Sequence, residues 1–278
     1  MRIIITGSTG LVGKRTVSLS LSHRYTVYTY GRSSDPCGEI AGHFSEPHEL
    51  PKDCDLLIHC AAATPLNSSM AECPALNHRI DSDLVTIIRT SSPKQVVYLS
   101  TMAVYGHIIV EKVDELCAPS CPNPYGQSKL DGESLIQAEC NAMGVPLTIL
   151  RLPGVVDTGM ATIFFKHVYD SIQAELPISV RNRKSAFNNA ILADDVFNIS
   201  LSASKMRLSS IINLHSSDSL SLETFLALFE EIAQKEAVII EDLSCNPPFL
   251  ISNSREIIPM VSALGYIVQT YHKRMLSV

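Results

Sequence analysis

The run Thr6-Gly7-Ser8-Thr9-Gly10-Leu11-Val12-Gly13 constrains this chain more than any other stretch. It follows the β-branched segment Arg2–Thr6 and precedes a helical pattern over Leu11–Ser22. Glycines in GxxGxxG spacing therefore fall where a strand turns into a helix. Such a turn is tight, and the lack of a Cβ at Gly7 and Gly10 lets a bound pyrophosphate come close. The helix that starts there offers free N–H groups and the positive end of its dipole to phosphate. Gly13 would let that helix lie close against the strand. A ligand-free glycine turn has the same letters; the placement between strand and helix favours a dinucleotide.

Short β-branched runs alternate with longer helical patterns through the first two-thirds of the chain. Arg2–Thr6, Tyr25–Tyr30, Asp55–Cys60, Gln95–Ser100 and Pro146–Leu152 read as buried strands. Leu11–Ser22, Ala75–Thr90 and Tyr125–Met143 read as the helices between them. Strands separated by helices imply a parallel, doubly wound α/β sheet, the Rossmann arrangement. After Leu152 the rhythm loosens. Helices are expected over Ala161–Ala174, from Ala193 and over Ser221–Gln234, with strands at Ile211–Leu214 and Ala237–Glu241. These pieces look too few for a second independent core. The expectation is a cofactor-binding Rossmann domain over 1–152 and a small C-terminal α/β substrate cap over 153–278, with segments near 190–215 returning to the Rossmann core.

The formal net charge of −6 argues against a nucleic-acid binder, which would present a basic stripe. The eight cysteines form no CxxC pair, and no HExxH or Cys/His cluster suggests a metal site. Their scatter through apolar runs is read as reduced thiols. The opening Met1–Gly7 lacks a signal-like pattern, and no apolar run approaches the ~20 residues of a membrane span. A cytoplasmic protein with no membrane partner is expected.

The second strand ends in Tyr30-Gly31-Arg32-Ser33-Ser34. An NAD-specific site places a carboxylate there for the ribose 2′-hydroxyl. Arg32 instead offers a planar fork of donors to the extra phosphate of NADP, with Ser33 or Ser34 adding hydroxyls. NADP is favoured, with NAD left open because Asp35 is close by. Further on, Tyr125-Gly126-Gln127-Ser128-Lys129 is a YxxxK pattern. On a helix these two residues share a face, so phenol and ammonium can enter one cleft. A phenol of pKa ~10 is a poor acid–base group near neutrality unless a cation favours its ionised form.

Taken with their surroundings, these segments resemble the extended short-chain dehydrogenases/reductases of the NAD-dependent epimerase/dehydratase group. The likeness runs from the glycine loop to about Asp195 and is weaker beyond. Asp55–Ala62 resembles the family's fourth strand, whose alanine-rich end, here Cys60, Ala61 and Ala62, lines the cofactor. Asn77 stands where the family keeps a helix asparagine that positions a water of the proton relay. Val97–Gly106 resembles the segment carrying the catalytic hydroxyl, which makes Thr101 that residue, with Ser100 behind it. Pro124–Leu130 matches the YxxxK segment. The resemblance implies that Tyr125 exchanges a proton with the substrate oxygen, while Lys129 holds the nicotinamide ribose and lowers the Tyr125 pKa. It implies further that Gly7, Thr9, Gly10, Leu11, Val12 and Gly13 cradle the cofactor. A homodimer through the helices Ala75–Thr90 and Tyr125–Met143 is also implied.

Within the family, the 4,6-dehydratases carry an Asp-Glu pair after the catalytic threonine; Met102 and Ala103 stand there and cannot transfer protons. Arg32 and a consumed NADPH favour net reduction of a keto group, on a sugar nucleotide or related polar carbonyl compound. A sugar-nucleotide epimerase is the alternative. Gly154 and Asn188 replace an asparagine and an arginine that nucleotide-sugar members use; Arg181, Arg183 and Lys184 are the stand-in phosphate contacts, or else a solvated basic loop.

Overall fold

The computed structural model describes residues 1–32, 40–156, 163–242, 247–254 and 263; Ser33, Ser34, Asp35, Asp157 and Thr158 lie outside the described residues. The elements begin with β1 (Arg2–Thr6), α1 (Leu11–Ser22), β2 (Thr26–Tyr30), β3 (Gly42–Phe44), β4 (Leu56–His59), α2 (Cys73–Ser91) and β5 (Val96–Thr101). They continue with β6 (Lys112–Val113), α3 (Pro124–Met143), β7 (Leu147–Leu152), β8 (Gly154–Val156), α4 (Ile163–Gln173) and β9 (Ile178–Val180). Next come β10 (Ala186–Phe187), β11 (Ala190–Leu192), α5 (Ala193–Met206) and β12 (Ser210–Asn213). The described elements end with β13 (Leu220–Ser221), α6 (Leu222–Ala233), β14 (Ile239–Glu241) and β15 (Leu250–Ile251).

The chain forms two compact units. The first comprises Met1–Gly106, Ala118–Leu152 and Ala193–Asn213. Its seven-stranded sheet has the order β12-β7-β5-β4-β1-β2-β3, and every neighbouring pair is parallel. A parallel sheet covered on both faces needs strands that are apolar throughout; Ile3, Ile4, Ile5, Leu56, Leu57, Val96 and Val97 are accordingly fully buried. Leu84, Ile87 and Ile88 of α2 and Ile136 and Cys140 of α3 pack with Ile4, Leu57 and Ile149 of the sheet into one core. Strand order and helix placement are those of a doubly wound Rossmann fold. The edge strand β3 departs from the sequence expectation, because its three half-buried residues are too short to show a period.

The second unit comprises His107–Cys117, Pro153–Leu192 and the described residues from Leu214 onward. Here the expectation of too few pieces for a core is corrected. Val168 and Ile172 of α4, Phe225, Leu226, Phe229 and Ile232 of α6, and Ile178 and Val180 of β9 are buried together. Phe225 and Phe229 lie 6.3 Å apart by ring centroid, and Phe187 lies tilted 5.4 Å from Phe225. Two amphipathic helices and a set of two- and three-residue strands are enough, because each contributes its whole apolar face. Asn188 pairs with β15 as a strand would: its amide donates to Ile251 O and accepts from Ile251 N, both at 2.8 Å. No described helix is long and apolar enough to cross a membrane.

Candidate active site

The first unit gathers most of the expected site residues at the C-terminal ends of its strands. Gly7 has φ +64°, and a Cβ there would stand 2.6 Å from the backbone of Ala61. The β1–α1 turn therefore lies directly on the segment following β4, and Cys60 N donates to Thr6 O at 3.3 Å. A Cβ on Gly13 would sit 2.0 Å from Gly7 O, so α1 can approach β1 only with glycine there. Gly10 is different. A Cβ on it would meet nothing closer than 3.4 Å, an ordinary contact, so the fold itself does not require glycine at that position. Thr9, Gly10 and Leu11 are exposed, and α1 begins without a side-chain cap or an acidic residue in its first turn. An uncapped, uncharged helix start behind an open glycine fits the phosphates of a dinucleotide.

That contrast predicts two different outcomes. Gly13→Ala is expected to lower stability by ~1–3 kcal/mol through overpacking. Gly10→Ala is expected to leave the thermal melt near wild type while weakening dinucleotide binding at least about tenfold. Thermal melts and fluorescence titration with NADH and NADPH check the pair; identical behaviour of the two variants would contradict it.

Tyr125 and Lys129 sit at the start of α3. Asn123 caps the helix, its Oδ1 accepting from Gly126 N at 2.7 Å, and Pro124 occupies the first turn. A Cβ on Gly126 would lie 2.2 Å from Ala103 O, so α3 presses onto the turn after β5. That contact sets the start of α3, with Tyr125, against the turn that follows Thr101, whose hydroxyl accepts from Ala103 N at 3.2 Å. Burial pushes the Tyr125 pKa up, and the Thr101 hydroxyl pulls it partly back. The Lys129 ammonium is buried and donates to Tyr98 Oη at 2.7 Å.

Asn77, on α2, is buried. Its Nδ2 donates to Ala63 O at 3.0 Å and to Ser128 Oγ at 2.9 Å, and its Oδ1 accepts from Ala63 N at 2.7 Å. Both amide N–H groups are thereby used, so Asn77 clamps the segment after β4 to the YxxxK helix. Burial pushes the Cys60 thiol up to about 12, which leaves it an apolar lining rather than a nucleophile. Arg32 is exposed just beyond the end of β2. In the second unit, Arg181 pairs with Asp242 and Arg183 with Glu223 at the surface.

One constellation escaped the sequence reading. Ser100 Oγ donates to Glu133, whose carboxylate takes a two-pronged contact from Arg151 at 3.0 and 2.7 Å. Arg151 also donates to Tyr105 Oη at 2.8 Å, and Tyr105 Oη donates to Asn213 at 2.9 Å. This buried chain ties β5, α3, β7 and β12 together directly beneath Thr101. The available signal was Glu133 standing one helical turn beyond Lys129, on the same face.

A family model described as the NAD dependent epimerase/dehydratase family matches residues 3–214. The chain belongs to that family. The match covers the glycine turn, Thr101 and the YxxxK helix. Among curated proteins, the family member is 34% identical over 106 residues to an uncharacterized UDP-glucose epimerase, YtcB, of Bacillus subtilis. That match takes in 37% of this chain and 33% of the relative. It is also 25% identical over 202 residues to the probable polyketide synthase 34 of Dictyostelium discoideum, 66% of this chain and 6% of that protein. The chain thus spans well under two thirds of the length of either relative. Among solved structures, the UDP-glucuronic acid 4-epimerase of Bacillus cereus in complex with NAD superposes with a TM-score of 0.80 at 18% identity, covering 99% of this chain and 96% of that one. The UDP-N-acetylglucosamine 4-epimerase of Bacillus cereus gives 0.78 at 17% identity, with 99% of each chain covered. These likenesses establish the shared fold.

Proposed function

We propose that this chain is an NAD(P)-dependent epimerase acting on a nucleotide sugar. The observation that carries the reading is that α3, which holds Tyr125 and Lys129, packs onto the turn after Thr101 at the end of β5, on the same strand-end face as the glycine turn. Gly7–Gly13, Cys60–Ala62 and Lys129 would hold the dinucleotide. When bound, NAD(P) supplies a hydride acceptor and donor. Tyr125 takes a proton from the sugar hydroxyl and returns it, and Thr101 holds that oxygen in line with the phenol. Met102 and Ala103, in the turn after Thr101, offer no second acid or base, which argues against elimination of water. The family membership and the epimerases among its relatives support retention of the cofactor over its consumption.

Arg32 favours a second reading, an NADP-dependent reductase of a keto-sugar nucleotide or related carbonyl compound. Titration of wild type and Arg32→Ala with NADH and NADPH separates the two. The epimerase reading expects tight binding that Arg32→Ala changes less than about threefold, below ~1 kcal/mol. NADPH affinity that collapses in the variant by more than about tenfold, with net oxidation during turnover, would move the reductase to first place.

A further inference from the structure

Lys129 opens a polar chain that runs through the middle of the first unit. Its ammonium donates to Tyr98 Oη at 2.7 Å and lies 4.0 Å from the centroid of that ring. Tyr98 Oη faces both carboxylate oxygens of Asp81 on α2, at 3.1 and 3.2 Å. Asp81 stands 3.5 Å from His59 Nε2 at the end of β4. The His59 ring stacks on Tyr98 at 5.4 Å, and its Nδ1 meets the Thr6 hydroxyl at 2.9 Å. Tyr98 is 0%, Lys129 and His59 1% and Asp81 2% exposed, so no solvent screens these charges.

The packing is shaped around this chain. Gly132 lies one turn after Lys129 on α3, and a Cβ there would come within 2.3 Å of both Asp81 Oδ2 and Tyr98 Oη. A buried carboxylate costs several kcal/mol unless it is paired. Among the described residues, Asp81 meets that condition through Tyr98, which leads to Lys129, and through His59.

We propose that Asp81 is a positioning residue for Lys129: through the Tyr98 hydroxyl it fixes the ammonium in place and keeps it charged. Two N–H donors of the ammonium then remain for cofactor hydroxyls. The inference rests on the reading of Lys129 given under the proposed function.

The groups facing each member set the sign of the effect. Lys129 faces Asp81 from α2, Glu133 from its own helix and Cys60 from the segment after β4; burial lowers its pKa, and those groups oppose the fall. Burial would raise Asp81, but His59, Lys129 and Tyr98 outweigh it and hold the carboxyl below its ordinary range. Burial keeps His59 neutral, against Asp81 and Asp83 and with Lys129. Tyr98 is held protonated by burial and by Asp81, with Glu133 and Tyr125 adding to it. Removing the Asp81 charge leaves burial less opposed at Lys129, so the ammonium loses its proton at a lower pH.

The test is 15N NMR of the full chain labelled at lysine Nζ, without cofactor, with the Lys129 signal assigned through Lys129→Arg. In Asp81→Asn and in Tyr98→Phe the Lys129 titration midpoint is expected to fall by about one pH unit or more, tenfold in the protonation equilibrium. The alkaline limb of turnover should move down with it. Tyr98→Phe removes a single oxygen and carries the test if Asp81→Asn does not fold. An unmoved midpoint in either folded variant overturns the proposal. Because the titration needs no substrate, its outcome stands apart from whether any nucleotide sugar is turned over.

Discussion

Tyr125→Phe is expected to lower turnover by ~10²–10⁴-fold, the usual contribution of a positioned proton donor and acceptor. The substitution removes one oxygen from a half-buried ring, so the thermal melt and the affinity for the dinucleotide should stay close to wild type. The phenol acts on the substrate oxygen, whereas the glycine turn and the start of α1 hold the phosphates. Thr101→Val, which removes the partner hydroxyl, is expected to cost less, on the order of tenfold to a hundredfold. Steady-state kinetics with cofactor titration check both. A Tyr125→Phe protein that retains more than about a tenth of its turnover would remove the phenol from the chemistry.

Arg151→Met is expected to be strongly destabilising. Arg151 and Glu133 are 6% and 5% exposed and share a two-pronged contact, and Ser100 donates to the same carboxylate. Losing the guanidinium leaves a buried, unpaired carboxylate, at a cost of ~3–5 kcal/mol. Replacing both partners, Glu133→Leu with Arg151→Met, is expected to recover part of that loss, since no charge is then left buried without a partner. Urea unfolding of the two variants measures the difference. A single-variant cost below ~1 kcal/mol would mean that the pair is not desolvated in solution. Because Ser100 precedes Thr101, the single variant should also lower turnover in whatever fraction remains folded.

The parts of this fold that could be read from the sequence are those set by local spacing. Ile3–Ile5 and Leu56–Leu57 announce buried strands because every residue is apolar. The helices α1, α2 and α3 fall within two residues of their expected limits, as Gly10, Pro74 and the Asn123-Pro124 pair mark their starts. The glycine turn and the YxxxK helix were legible for the same reason, whereas Thr101 was singled out only through the family resemblance. What escaped depends on which distant segments become neighbours. Lys129 meets Tyr98 across 31 positions, and Asn77 meets Ser128 across 51. No period in either helix reveals that the Asn77 amide joins the Ala63 backbone to the Ser128 hydroxyl. The core of the second unit was missed because its strands, such as Ala186–Phe187 and Leu220–Ser221, are two residues long and show no alternation.

The most direct test of the account is to incubate the cofactor-loaded protein with UDP-glucose, UDP-glucuronic acid or UDP-N-acetylglucosamine in deuterium oxide, following proton NMR and absorbance at 340 nm together. The account predicts an epimeric nucleotide sugar whose inverted carbon keeps its original proton, with no net change in absorbance. A net absorbance change matching the sugar consumed, as a sugar hydroxyl is oxidised and the cofactor reduced, or incorporation of solvent deuterium at the inverted carbon, would contradict it.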